Sequence, residues 1–231
     1  MTIENSDATP ETARTAHDAF LAYQRALSSD CLIQGSWHTT ADDGRRLACV
    51  LGVIGDDVSS PSDCPASVMP RWLAQMVPWI FDRQKPDEAK SWGLAFYEQL
   101  DRLGGQVPFS VVYDWQANVV CELWIERCKR IGRDPAPHLE VQALHRRALA
   151  GDIAPRDAWT PVLRSAYADA YADAYADAYA NAYANAYANA DAYAYANANA
   201  YAYADADADA DADGISKLAT GIVDCLKRVA V

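Results

Sequence analysis

Ala166-Tyr167-Ala168-Asp169-Ala170-Tyr171-Ala172-Asp173 opens a tract that runs to Asp213 with Ala at every even position and only Tyr, Asp or Asn at every odd one. Two readings compete for it. Strict alternation has the period of a strand, whose successive side chains point to opposite faces. Alanine, however, has the highest helix propensity and is depleted from strands, and 48 residues without Gly or Pro offer no turn on which a sheet could fold back. Propensity therefore predicts one long helix, about 72 Å in length at about 1.5 Å per residue.

Helical geometry separates what alternation mixes, because residues two apart lie about 200° apart around the axis. Tyr167, Tyr171, Tyr175, Tyr179, Tyr183 and Tyr187 then form an i,i+4 ladder, backed by Asp169, Asp173, Asp177, Asn181, Asn185 and Asn189. The ladder winds by about 40° per rung, since four residues exceed one turn. These six Tyr are the candidate contact residues, as aromatic side chains anchor interfaces; covering the N-terminal domain is their alternative use. Tyr193 and Tyr195, then Tyr201 and Tyr203, come at spacing two, which puts rings on both sides. Asp205, Asp207, Asp209, Asp211 and Asp213 crowd like charges at a helix C-terminus, where the dipole also disfavours anions, so fraying is predicted after about residue 204. The tract contains no Ser, His, Cys, Lys or Arg and so holds no conventional catalytic constellation. Tyr, Asp and Asn codons can differ in the first base alone, which makes slippage of a six-base repeat a sufficient origin for it.

Everything bulky lies upstream. All seven Trp, all four Phe, all three Met and five of the six Cys precede the tract, which places the core in a helical globular domain over 1–154, followed by the repeat helix over 155–213 and an amphipathic helix over 215–231. A helix is predicted from about Pro10 to Leu27, with Ala16, Phe20, Tyr23 and Leu27 on one face. Asp43-Gly44 between Ser36–Thr40 and Arg46–Leu51 signals a short β-hairpin near 36–51, while 46–54 reads equally as strand or short helix. Val68, Met69, Trp72, Leu73, Met76, Val77 and Ile80 mark a helix with Ser67 as its cap and Pro70 in its first turn, which Pro78 should kink or end. Further helices read from about Asp87 to Leu103, stopped by Gly104-Gly105, from Pro108 to about Ile131, and from His138 to Ala150. The next begins near Pro155 or Thr160-Pro161, anchored by Trp159, Val162 and Leu163. After an interruption at Gly214, Ile215, Leu218, Ala219, Ile222, Leu226 and Val229 form an apolar stripe that must dock somewhere. The fold class is mainly α: an irregular multi-helix domain, a long Ala/Tyr/Asp-rich helix and a short C-terminal amphipathic helix.

The net charge of −12 is concentrated, since the tract holds nine of the 32 acidic residues and none of the 20 basic ones. Such a field repels nucleic acid and anionic lipid and speeds encounter with basic partners within about 10 Å at 0.1 M salt. Met1 to Asp7 has neither the basic start nor the apolar run of a signal peptide, and no run of 18 apolar residues exists, so the protein is expected in the cytoplasm with its six Cys as thiols. His38 with Cys49 or Cys64 is the one grouping that could be assembled into a Cys-His hydrolase, but no nucleophile signature surrounds either thiol. Cys121, Cys128, His138 and His145 lack the close ligand pairs of structural zinc sites. No catalytic residue, cofactor or metal is expected.

Gln34-Gly35-Ser36-Trp37-His38, Gly44-Arg45-Arg46-Leu47-Ala48-Cys49 and Cys64-Pro65-Ala66-Ser67-Val68-Met69-Pro70-Arg71-Trp72-Leu73 resemble a family of uncharacterised bacterial and phage-associated proteins. Ala143 to Ala190 is similar to the alanine-rich tails of that family, some members of which are labelled immunity proteins. The resemblance implies no established activity or catalytic residue. With the charge segregation, it leads to a non-enzymatic interaction protein whose partner is a basic protein, such as a toxin to be neutralised, or a second copy in a phage-type structural assembly, with no nucleic acid and no membrane.

Overall fold

The computed structural model describes residues 12–167 and 212–231. Thr15 opens the first helix, α1 (Ala16–Ser28), with a capping box: its side chain accepts from the Asp18 N–H while the Asp18 carboxylate accepts from the Thr15 N–H. This cap starts the helix later than the predicted Pro10, and residues 12–15 are not helical. Ala16, Ala19 and Tyr23 turn inward from α1 against α3.

The predicted hairpin forms. Strands β1 (His38–Thr40) and β2 (Arg46–Ala48) pair antiparallel, with His38 opposite Ala48 and Thr40 opposite Arg46. The ambiguous 46–54 stretch divides: β2 ends at Ala48 and a 3-10 turn covers Gly52–Ile54. A second 3-10 turn spans Pro61–Asp63.

Helix α2 (Arg71–Asp82) departs from the expected cap and, of the two outcomes expected at Pro78, a kink or an end, excludes the end. Pro70, not Ser67, is its N-cap residue, and the Ser67 hydroxyl donates instead to the Arg14 carbonyl at 2.6 Å. Nor does Pro78 end it. An interior Pro costs about 3 kcal/mol, but Ile80 and Phe81 beyond it are about 1% exposed, and burying each contributes about 1.5–3 kcal/mol. Packing on both sides of Pro78 therefore outweighs the lost N–H. The loop after α1 closes the helix end, where Gln34 Nε2 donates to the Phe81 and Gln84 carbonyls and the Gly35 N–H to Asp82.

Helix α3 (Pro86–Arg102) has Asp87 and Glu88 in its first turn and Arg102 in its last, as the helix dipole favours, and Gly104 and Gly105 follow at φ 57° and 75°. Next comes one long helical run: α4 (Ser110–Trp115) passes through a π-turn (Gln116–Val120) into α5 (Cys121–Arg130). Helix α6 (Ala136–Leu149) folds back on it after Asp134-Pro135, with the Asp134 carboxylate accepting from the Ala136 N–H. Helix α7 (Arg156–Tyr167) packs on α6, and α8 (Ala212–Arg228) closes the fold against α2, α3 and α4. Gly214 does not interrupt α8 as predicted but lies within it, and the docking of α8 on the core outweighs the cost of about 1 kcal/mol of a helical Gly.

Candidate functional site

Both flanks of the repeat tract are seated in the same hydrophobic core. On the upstream side Trp159, Leu163 and Ala166 of α7 are buried, with Val162 packed against the cluster, as the anchor prediction required. The Trp159 indole donates to the Ala154 carbonyl at 3.1 Å, pinning the start of α7 to the loop before it. On the downstream side Leu218, Ala219, Ile222 and Leu226 of α8 are buried and Ile215 and Val229 pack alongside them. The tract thus joins two helices that are each docked on the core.

The seat of α8 is polar as well as apolar. Trp92 on α3 donates its indole N–H to the Ala219 carbonyl at 2.8 Å, and Trp115 on α4 donates to Leu218 at 3.0 Å. Arg102 reaches the far end, giving one N–H to the Leu226 carbonyl and another to Val229, which satisfies acceptors that a helix C-terminus leaves open. Arg228 binds Asp114 at 2.8 Å, and Asn118 donates to the other Asp114 oxygen. Burial opposes ionisation of Asp114, yet those hydrogen bonds and the Arg228 charge hold its carboxyl below the usual carboxylate range. Gly221 permits a close approach: a Cβ there would stand 2.7 Å from both methyls of Val119, a residue of the π-turn.

The π-turn has its own support. The Ala117 carbonyl accepts from the buried Gln142 Nε2 at 2.8 Å, and Gln142 also donates to Glu122, which Arg146 engages from solvent. Such turns recur at functional sites. Here the turn carries Val119 to the surface that receives Gly221.

The thiol and imidazole groups go to other uses. Cys49 is buried, its Sγ accepts from the Gly52 N–H at 3.3 Å, and burial raises its pKa. His38 Nε2 contacts the Gly52 carbonyl at 3.0 Å. The thiols of Cys64, Cys121 and Cys225 are each pushed up by burial to about 12, the reverse of the shift that activates a nucleophile. All six Cys are thiols. His145 is fully buried between Tyr113 and Trp159, with ring centroids at 6.2 and 4.8 Å, and burial drives its pKa down to about 3. His138 instead stacks on Trp124 at 5.4 Å. Among the described residues no group of three or more His, Cys, Asp or Glu side chains is placed to hold a metal ion, and no helix is long and apolar enough to cross a membrane.

Of the candidate contact residues, Tyr167 ends α7, and Tyr171, Tyr175, Tyr179, Tyr183 and Tyr187 lie outside the described residues, as does the predicted repeat helix beyond Tyr167. Sequence reasoning missed the seat of α8. Its signal was the pair Trp92 and Trp115, each carrying an N–H that needs an acceptor once buried. No family model matches the chain, and no curated protein and no solved structure matches it.

Proposed function

We propose that the protein is a non-enzymatic interaction module in which a helical domain presents the Tyr/Asp tract to a basic protein partner, in the manner of an immunity protein neutralising a toxin. The observation that carries this reading is segregation: nine Asp and no Lys or Arg within 166–213, a stretch that also holds Tyr167 to Tyr187 at four-residue intervals. Opposite charge steers encounter, and aromatic rings supply contact area once the partners meet. The docked flanking helices support the same reading, because they anchor both ends of the tract to the domain.

The test uses full-length protein as bait in host extract, beside a variant with the nine tract Asp changed to Asn. The reading expects a specific basic protein to be retained at low salt, to be lost as the Debye length shortens, and to be missed by the Asn variant. Retention of the same proteins by both baits would remove the electrostatic reading.

A further inference from the structure

Helices α4 and α5 are set apart by a shift of one residue in the backbone ladder. The Cys121 N–H donates to the Gln116 carbonyl, five residues back. In an α-helix its acceptor is the Ala117 carbonyl, and that carbonyl takes the Gln142 Nε2 hydrogen at 2.8 Å. π-turns are rare, and residues 116–121 contain neither Gly nor Pro, so an α-helix is what this stretch forms when nothing holds it otherwise. Helix α8 supplies a second hold: the Leu218 carbonyl accepts from Trp115, Gly221 receives Val119, and Arg228 shares Asp114 with Asn118.

The apolar residues fit both registers. Val112, Trp115, Val119 and Leu123 lie three, four and four apart, the stripe of an uninterrupted α-helix. The π-turn breaks that stripe: Leu123 and Trp124 are half-buried, while Cys121, Ile125 and Cys128 are buried. Closing the turn to α rotates α5 by about 100° and shifts it by about 1.5 Å, so that each residue takes the direction of its successor. Val120 then replaces Cys121, and Trp124 replaces Ile125 at the expense of its stack on His138. Arg127 replaces Cys128 in the last turn of α5, where a guanidinium can reach water.

We propose that residues 116–121 are a register switch, held as a π-turn by Gln142 and by the seat of α8 and released to an α-helix when either hold is lost. Because α8 begins at the downstream end of the repeat tract, a displacement of α8 is passed to the face that α5 turns toward α6. The switch does not depend on which partner the tract meets.

Thiol labelling of the full-length chain, read peptide by peptide by mass spectrometry, reports the register, because the α form turns Cys128 into the direction of the exposed Lys129. In the wild type Cys128 and Cys49, both buried, are expected to react slowly. Gln142→Leu, which withdraws the donor from Ala117, should speed Cys128 on the order of tenfold or more and leave Cys49 unchanged. Gly221→Val, which crowds Val119, should do the same. Deleting Asn118 places Gln116 four residues before Cys121, so the present direction of α5 becomes the α register. In that chain Gln142→Leu should leave Cys128 slow, whereas mere loosening of α5 would speed it with or without Asn118. Cys128 staying slow in either single variant, speeding equally in the Asn118-deleted chain, or Cys49 speeding in any of the three would each overturn the proposal.

Discussion

Lowering the pH from 7.5 to 5 isolates the cost of burying His145. Its ring is enclosed by α4, α6 and α7, and its pKa falls from an ordinary 6.5 to about 3. A folded-state pKa below the unfolded one means that the unfolded chain binds the proton first, so the stability is fully present above about pH 6.5 and is lost progressively toward about pH 3. At about 1.4 kcal/mol per pH unit, the loss amounts to about 2 kcal/mol by pH 5 and to about 5 kcal/mol over the whole window. The first figure is the useful one, because most carboxylates have not yet taken up protons at pH 5. Urea unfolding followed by Trp fluorescence at pH 7.5, 6.5, 5.8 and 5.0 measures it, and Trp159, 4.8 Å from the imidazole, reports locally. His145→Leu removes the titrating group while keeping an apolar fill, so its stability should stay nearly flat over that range even if lower in absolute value. Parallel pH profiles for wild type and His145→Leu would refute the reasoning.

Gly221→Ala should destabilise the protein by about 1–3 kcal/mol through overpacking against Val119, and the added Val119→Ala change should recover much of that loss in a urea double-mutant cycle. Trp92→Phe keeps an aromatic ring but deletes the donor to the Ala219 carbonyl; a loss of about 1 kcal/mol in chemical denaturation is expected. Gln142→Leu strips the Ala117 carbonyl and Glu122 of their shared donor, for which thermal melts should register about 1–3 kcal/mol. Native-state labelling with a thiol reagent at pH 7.5 should modify Cys31, which is half-buried, far faster than Cys49, Cys121 and Cys225, which are buried; rapid modification of Cys49 would reopen the His38–Cys49 hydrolase reading.

Helical periodicity carried most of the fold. Val68 to Ile80, Trp92 to Leu103 and Leu218 to Leu226 show their buried stripes in the spacing of apolar residues, and Asp43-Gly44 marked the turn between β1 and β2. What escaped notice depends on neighbours distant in sequence. Pro78 and Gly214 are breakers by local rule, and only burial beyond Pro78 and the docking of α8 on the core overrule them. The π-turn has no signature in residues 116–120; it is visible only with Gln142 and Gly221 in place. The same holds for the acceptors of Trp92 and Trp115, which lie more than a hundred residues downstream. The tract, whose chemistry is the most legible, supplies negative charge and aromatic residues in a repeating order.

Because α7 and α8 are each held by their own contacts to the core, the segment between them is free to vary in length without either post giving way. Each Ala-X pair is encoded by six bases, so every duplication or loss keeps the reading frame, and the chain always regains α8. Reach and the number of Tyr and Asp can therefore change between generations in steps of two residues.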